Sequence, residues 1–483
     1  MHLPKANSVF LSNSFFIFIT RFFPSLANLL VMIWYSRHLS PEVYGTYQLF
    51  WIQLYVISPI ICFGIHTLII TYSRNMLANI LSTLKTKHYV LFLGWAITLS
   101  TAFGLLQYDA AGVSFLTSFL FILTFSISVI TESLLIVFRK YRMISIAGLL
   151  YAAAFSLIHW IGLTGEFSLQ FIFSCLLIIN LLRVFALSCA VLIEIKKDAE
   201  GYDPEEIDIK AIRSLWMHLG LYDIVQMLSC WIDKFVIALL LSTGLSAIYY
   251  NGAQNVPFLP LLLSAAGSAV LLQLADSRKS DETTNTIKLV NKSGIVLSCI
   301  VYPVFCFLYL FRNELFVTLF STKYIPSIPI FAVAILALPV RAYSFTTVLQ
   351  RNHKGNIINI GAVGELLVAC ILMYPFYEYW GLPGVAFSFV LSTYLQAGFY
   401  LFYTGRLLQV SPLRLIPIKN WLFKIVLCFG VLYMVHYAGS IQYTGRFTLI
   451  LGGLAMLLLM AILLYSELKT VKHNGGQSST TEI

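Results

Sequence analysis

Apolar residues run along this chain in long blocks. Fourteen stand out, at residues 8–36, 44–72, 88–106, 113–138, 145–163, 169–195, 214–242, 247–275, 289–311, 325–350, 356–377, 383–406, 420–437 and 446–466. Each is about 18 residues or more, the length a helix needs to cross the hydrocarbon core of a bilayer. Period-two alternation, the mark of a membrane β-barrel, is absent from the sequence. The pattern predicts an all-α polytopic membrane protein with about fourteen transmembrane helices. No small-residue cleavage site follows the first block, which is also too long for a signal peptide, so it is read as a membrane helix.

Charge adds direction to this picture. Hydrophobic residues make up 59% of the chain and charged residues only 11%, against roughly 25% charged in a soluble domain. Lysine and arginine cluster at one set of helix ends. That set holds Lys5; Arg74, Lys85 and Lys87; Arg139, Lys140 and Arg142; Lys196, Lys197, Lys210 and Arg213; Arg278, Lys279, Lys288 and Lys292. It continues with Arg351 and Lys354; Arg406, Arg414, Lys419 and Lys424; and Lys469 and Lys472. The opposite ends hold Arg37, Arg312, Lys323 and Arg446, a division of 23 against 4. The positive-inside rule then places both termini in the cytoplasm. The net charge of +10 is accounted for by topology and anionic lipid, leaving no case for nucleic acid.

The loops narrow the function. The longest, "KKDAEGYDPEEIDIKAIRS" (196–214), is too short for a catalytic domain, and no Gly-rich loop ending in Gly-Lys-Ser/Thr offers a nucleotide site. Cys62, Cys175, Cys189, Cys230, Cys299, Cys306, Cys370 and Cys428 all fall in apolar blocks without metal-ligand spacing, and read as packing residues. His66, His159, His218 and His436 are scattered in or at the ends of blocks and read as helix packing ahead of a proton relay. Neither cofactor nor metal is expected, and the chain is read as a transporter and not an enzyme.

An internal repeat suggests the architecture. "LSPEVYGTYQ" from Leu39 and "LSTGLSAIYY" from Leu241 each follow the first helix of a half, and Leu39, Ser40 and Tyr47 match Leu241, Ser242 and Tyr249. Pro59 and Pro260 match within one residue. The simplest plan is two pseudo-symmetric six-helix halves, 1–195 and 214–406, joined by a cytoplasmic linker at 196–213. Two additional helices at 407–470 and a flexible cytoplasmic tail at 471–483 complete it. Repeated halves around a midplane site are a common transporter plan.

Four stretches in order carry a family resemblance. "SRHLSPEVYGTYQLF" (36–50) resembles the first hairpin of the polysaccharide-biosynthesis flippases of the MOP exporter superfamily, the Wzx-type O-antigen flippases. "DKFVIALLLSTGLSAIYY" (233–250) is similar to their seventh helix, and "LFSTKYIPSIPIFAVAIL" (319–336) to the opening of their tenth. "YPFYEYWGLPGVAFSFVLSTYL" (374–395) resembles the start of their twelfth, though Pro383 and the step Gly384-Val385-Ala386 depart from the family pattern. The resemblance implies a MATE-like (MOP) fold in a bacterial inner membrane. It implies flipping of an undecaprenyl-diphosphate-linked oligosaccharide, an O-antigen, capsule or exopolysaccharide repeat unit, to the periplasmic leaflet. Polysaccharide polymerase or other assembly proteins would be partners. The alternative is an ion-coupled small-molecule or drug antiporter of the same superfamily.

Charges inside the apolar blocks are the candidate site. "WIDKFVI" (231–237) sets Asp233 beside Lys234 where a charge at the bilayer centre costs at least about 2.5–3.5 kcal/mol. Asp223, Gln226, Ser229, Asp233 and Lys234 fall into one polar wedge, which demands a water-filled cavity or other polar helices. Adjacent residues point about 100° apart, so Asp233 and Lys234 are not expected to face each other. Arg21, beside Pro24, shares a stripe with Ser14, Ser25 and Asn28; Arg183 and Arg341 are also deep in their blocks. Arg21, Arg183, Lys234 and Arg341 are the candidate partners of a substrate diphosphate. Asp233, Asp223 and Glu365 are the candidates for exchanging a coupling ion, H+ or Na+. Glu132 reads as snorkelling or pairing with Arg139 or Arg142. Interhelical salt bridges that merely fix packing are the competing reading. With no ATP site, movement is expected to be a rocking of the halves, with bends at Pro24, Pro59, Pro257, Pro260, Pro303 and Pro339.

Overall fold

The computed structural model describes residues 5–72, 74, 76, 77, 80, 85–198, 209–254, 259, 263, 282–352, 354–442 and 445–477. Among these residues the regular elements are all helical. The first half of the chain forms α1 (Lys5–His38), α2 (Pro41–Cys62), α3 (Ile65–Thr71), α4 (Thr86–Ala111) and α5 (Phe115–Val137). It continues with α6 (Tyr141–Thr164), α7 (Leu169–Asp198), α8 (Ile209–Leu240) and α9 (Thr243–Gly252). The rest holds α10 (Glu282–Leu310), α11 (Arg312–Leu319), α12 (Ser327–Ala334), α13 (Thr347–Arg351), α14 (Gly355–Trp380), α15 (Leu382–Leu408), α16 (Ile418–Gln442) and α17 (Gly445–Gln477). Among the described residues nine helices are long and apolar enough to cross a membrane, or ten if α2 and α3 form one bent span. The chain is a multi-span membrane protein.

The described helices divide into two compact units, Met1–Ala247 and Ile248–Ile483, so α8 packs with the first unit, against α2 and α3. Helix starts follow local chemistry. Ser40 caps α2 by accepting the Val43 N–H, with Pro41 preset for the first turn. Ser114 caps α5 in the same way through Thr117 N–H. Within the first unit α1 packs on α6, α5 on α4 and α7, and α2 on α4 and α8. Its centre is aromatic: Phe50 stacks on Phe173 at 3.9 Å between ring centroids, with Phe103, Phe121 and Trp51 around them. Polar side chains there pair in part across helices, Gln107 donating to Gln53 at 2.6 Å and Asn180 donating to Thr124 at 2.8 Å, while Gln107 Oε1 and Asn180 Oδ1 are buried without a hydrogen-bond partner among the described residues.

α1 runs through Pro24 without a break. Proline leaves the carbonyl four residues back without its helical donor. That carbonyl, of Thr20, lies against Gly148 of α6, and the Thr20 and Ser145 hydroxyls pair at 3.0 Å beside it.

In the second unit α14 and α15 form a tight hairpin. Gly381 turns it at φ 62°, and Gly384 lies so close to the Phe376 carbonyl that no Cβ fits between them. α10, α16 and α17 enclose Cys299, Cys306, Phe311, Cys428 and Leu432. The predicted continuous span at 325–350 is corrected. It is α12 followed by short 3-10 turns at Ile335–Ala337 and Pro339–Ala342, an extended Tyr343, and α13. Pro339 has no N–H for the helical ladder and opens the second turn. Of the predicted 247–275 span, α9 covers the start, and Pro257 and Pro260 lie outside the described residues, as does linker segment 199–208.

Candidate functional site

The aspartate and lysine of "WIDKFVI" are buried, with side chains 8% and 6% exposed. Lys234 Nζ lies 3.2 Å from Asp233 Oδ2 and 3.3 Å from Oδ1, and 5.6 Å over the Trp231 ring. This corrects the expectation that the two would not face each other. Neighbouring side chains on a helix start out in different directions, but the four-carbon lysine stem is long enough to fold back along α8. Nζ also reaches the Cys230 carbonyl at 3.5 Å, one turn earlier.

The wedge on α8 is resolved into separate environments. Asp223 accepts the Thr67 hydroxyl proton at 2.7 Å and lies 3.6 Å from His66 Nε2, both on α3. Gln226 is exposed, Ser229 is half-buried, and Asp233 and Lys234 are buried. Thus one helix carries two acidic centres with different partners.

Arg183 on α7 forms an ion pair with Glu132 on α5, and its guanidinium lies 4.6 Å over the Tyr151 ring. The reading of Glu132 as a partner of Arg139 or Arg142 is therefore corrected. α5 and α7 pack side by side and bring these deep charges together, whereas Arg139 follows the end of α5 with φ 57°. Arg21 is exposed on α1, and its own carbonyl accepts the Ser25 hydroxyl at 2.8 Å.

In the second unit Glu365 on α14 takes two donors from α15. Thr393 Oγ1 is at 2.9 Å and Gln396 Nε2 at 2.7 Å. Arg341, exposed in the 3-10 turn after Pro339, is near enough to Glu365 for their charges to interact. The broken tenth span thus carries the cation toward a half-buried carboxylate.

The reading that puts Lys424 at a basic helix end is corrected: its side chain is 2% exposed, inside the second unit. Its ammonium pairs with Glu467 at 3.1 Å and donates to the Ile295 carbonyl at 2.7 Å and to Ser298 at 3.1 Å. At the other end of α16, His436 Nε2 meets Glu314 at 3.0 Å. Both ties fix α16 and α17 to the remainder of their unit. The only sequence hint was that Lys424 falls just inside a block instead of before it. Among the described residues no three His, Cys, Asp or Glu side chains converge as metal ligands.

Comparison with known proteins yields fold likeness alone. No family model matches the chain. No curated protein sequence matches it either. Among solved structures, lipid II flippase MurJ in an inward closed conformation superposes with a TM-score of 0.66 at 15% identity, over 94% of this chain and 98% of that one. An outward-facing multidrug resistance MATE transporter of the MOP superfamily gives 0.56 at 15% identity, over 82% and 94%. An inward-facing one gives 0.52 at 13% identity, over 80% and 94%. The all-helical fold of this chain is the fold of MurJ and the MATE transporters.

Proposed function

We propose that the protein is a flippase for an undecaprenyl-diphosphate-linked oligosaccharide, moving an O-antigen, capsule or exopolysaccharide repeat unit from the cytoplasmic to the periplasmic leaflet. The observation that carries this reading is the extent of the match to MurJ, a lipid II flippase. At 94% of the chain it leaves too few residues uncovered to omit α16 and α17, whereas the MATE matches omit about a fifth. Cations in otherwise apolar spans support a substrate bearing a diphosphate: Arg21, Arg183, Lys234 and Arg341. Arg183 would exchange Glu132 for a phosphate as the substrate passes. Asp233, Asp223 and Glu365 would exchange H+ or Na+ between inward-facing and outward-facing states. The repeat-related parts, 1–195 and 214–406, would rock about the substrate, with 196–213 as a cytoplasmic linker. The protein would sit in a bacterial inner membrane and hand its product to a polysaccharide polymerase.

The test is flipping of defined fluorescent lipid-linked oligosaccharides by the purified protein in liposomes. Arg21→Ala and Arg341→Ala are expected to slow flipping on the order of tenfold or more, the worth of a charge-assisted hydrogen bond. Arg→Lys should rescue in part, since charge is kept and the bidentate fork is lost. Parental rates in both alanine variants would remove these cations from the substrate path. Transport of small cationic drugs without lipid flipping would favour the antiporter reading.

Orientation has its own measurement. Single cysteines placed in 196–213 or at either terminus should react in intact cells only with membrane-permeant reagents, and a cysteine at Gly244 with impermeant ones. Labelling of the linker from outside would reverse the topology read from the 23 against 4 division of basic residues.

A further inference from the structure

α2 ends at Cys62, and α3 resumes at Ile65 turned by 55°. Phe63 and Gly64 make the corner with left-handed φ values of 40° and 72°. Gly64 adopts such a conformation freely, but side chains rarely do, so the strain of the corner rests on Phe63 and persists only where surrounding contacts hold it. α8 supplies those contacts. Gly64 and Gly220 touch backbone to backbone, with no room for a Cβ on either. Trp216 Nε1 donates to the Phe63 carbonyl at 2.7 Å, and the Trp216 ring meets the Phe63 ring edge-on. Asp223 then closes the junction through Thr67 and His66.

Two features set this junction apart from static packing. Its charge-bearing groups are reachable, the His66 and Asp223 side chains being 28% and 14% exposed. Its one imperfect contact is also the titratable one: at 3.6 Å, His66 Nε2 is too far for a hydrogen bond to Asp223. His66 Nδ1 is buried without a hydrogen-bond partner among the described residues, so the ring has Asp223 as its polar neighbour. A protonated ring would convert this long contact into an ion pair in a half-desolvated place, where attraction is stronger than in water.

We infer that His66 and Asp223 form a proton-binding latch, in which a proton on His66 clamps α3 to α8 and its loss frees α3 to swing at the Phe63–Gly64 corner. Thr67 holds the carboxylate oriented toward the ring in the clamped form. Histidine is the side chain whose charge ordinarily changes between about pH 5 and 8. Among the described residues the titratable neighbours are few. Cys62 on α2 and Tyr222 on α8 lie close enough to Asp223 to interact with it. On α5, which also packs on α3, Glu132 is committed to Arg183. Beyond α3, Arg74 lies 4.0 Å from Glu194. His218, on the same helix as Asp223, is exposed. The use of such a latch, gating the cytoplasmic side of the path, rests on the transporter reading, while the latch itself does not.

Spin labels at Thr71→Cys on α3 and Leu240→Cys on α8 test it, in the full chain with the exposed Cys230 and Cys370 changed to serine. Inter-label distances are measured by pulsed electron resonance in liposomes, without any lipid-linked substrate, at about pH 5.5 and about pH 8.5. The share of a second, displaced distance should rise at least about threefold at the higher pH. His66→Gln and Asp223→Asn should show the displaced distance equally at both pH values. His66→Lys, permanently charged, should show the clamped distance at both, which keeps the test decisive if the glutamine variant does not fold. A distribution in the unsubstituted site that ignores pH, or a pH response surviving His66→Gln or His66→Lys, would overturn the latch. Flipping is not read in this measurement, so failure of the latch and failure of the flippase reading appear in different experiments.

Discussion

Replacing Lys234 with alanine should reduce lipid-linked oligosaccharide flipping by more than tenfold and lower the thermal stability of the purified protein. The two effects have different origins. Lys234 is the ammonium that pairs with Asp233 in the interior of the first unit. Removing one partner of a buried pair costs about 3–5 kcal/mol, because a charge is left in a medium that solvates it poorly. Loss of stability alone would therefore say nothing about transport. The double replacement Asp233→Asn with Lys234→Met separates them, since it removes both charges and nearly preserves volume. It should recover most of the stability, as neutral replacements of buried pairs often do, while flipping stays more than tenfold down. If the double variant flips at the parental rate, the pair only holds α8 in place. Asp233→Asn alone, assayed under an imposed proton or sodium gradient, should lose gradient stimulation while still binding substrate. Unchanged stimulation would move the coupling role to Glu365 or to Asp223.

Gly45→Val should be among the most damaging single substitutions although it alters no charge. Gly45 lies in the first turns of α2, and a Cβ built there overlaps the Thr243 carbonyl of α9. Glu42, three residues earlier, lies against Gly244. The partner atoms are backbone, so no rotamer change can make room, and α2 and the start of α9 would have to move apart. Overpacking of this kind costs about 1–3 kcal/mol and occasionally more. The expected result is a melting temperature lowered by several degrees for Gly45→Ala and little folded protein for Gly45→Val, followed by fluorescence-detected size exclusion and thermal melting. Parental stability in both variants would mean that this approach is looser than the geometry describes.

The same contact bears on the repeat. "LSPEVYGTYQ" and "LSTGLSAIYY" were matched by position along the chain, yet Gly45 of the first and Thr243 of the second are neighbours in space. Small residues at both places are what two helix starts require to meet at backbone distance. A one-dimensional match could show that the stretches are alike and could not show that they touch.

Polar residues within spans are only half legible in the sequence. Arg183, Asp223, Asp233, Lys234 and Glu365 all stood out, because a charge among apolar neighbours is conspicuous. Their partners did not. Glu132 is 51 residues from Arg183, and Asp223 meets Thr67 over a separation of 156. Such pairings depend on which helices are adjacent, and no spacing rule encodes that. Lys424 departs from the basic-end reading for a related reason. Near the end of an apolar block a lysine ordinarily snorkels to the interface, but Glu467, Ser298 and the Ile295 carbonyl offer it a polar niche inside the unit.

What composition and periodicity determined was everything that a bilayer imposes locally. A backbone in hydrocarbon must satisfy its own hydrogen bonds, so long apolar blocks become helices, and the blocks are countable from the sequence. The observed elements begin and end within a few residues of most of those blocks, from α1 to α17. Tertiary structure decided the departures and the chemistry. It broke the tenth span at Pro339 so that Arg341 approaches Glu365, and folded Lys234 back onto Asp233. It also bent the second span at Phe63–Gly64 so that His66 and Thr67 meet Asp223. Insertion is governed by the solvent around each segment, which local sequence reports. Pairing of buried charges is governed by distance between helices, which only packing creates.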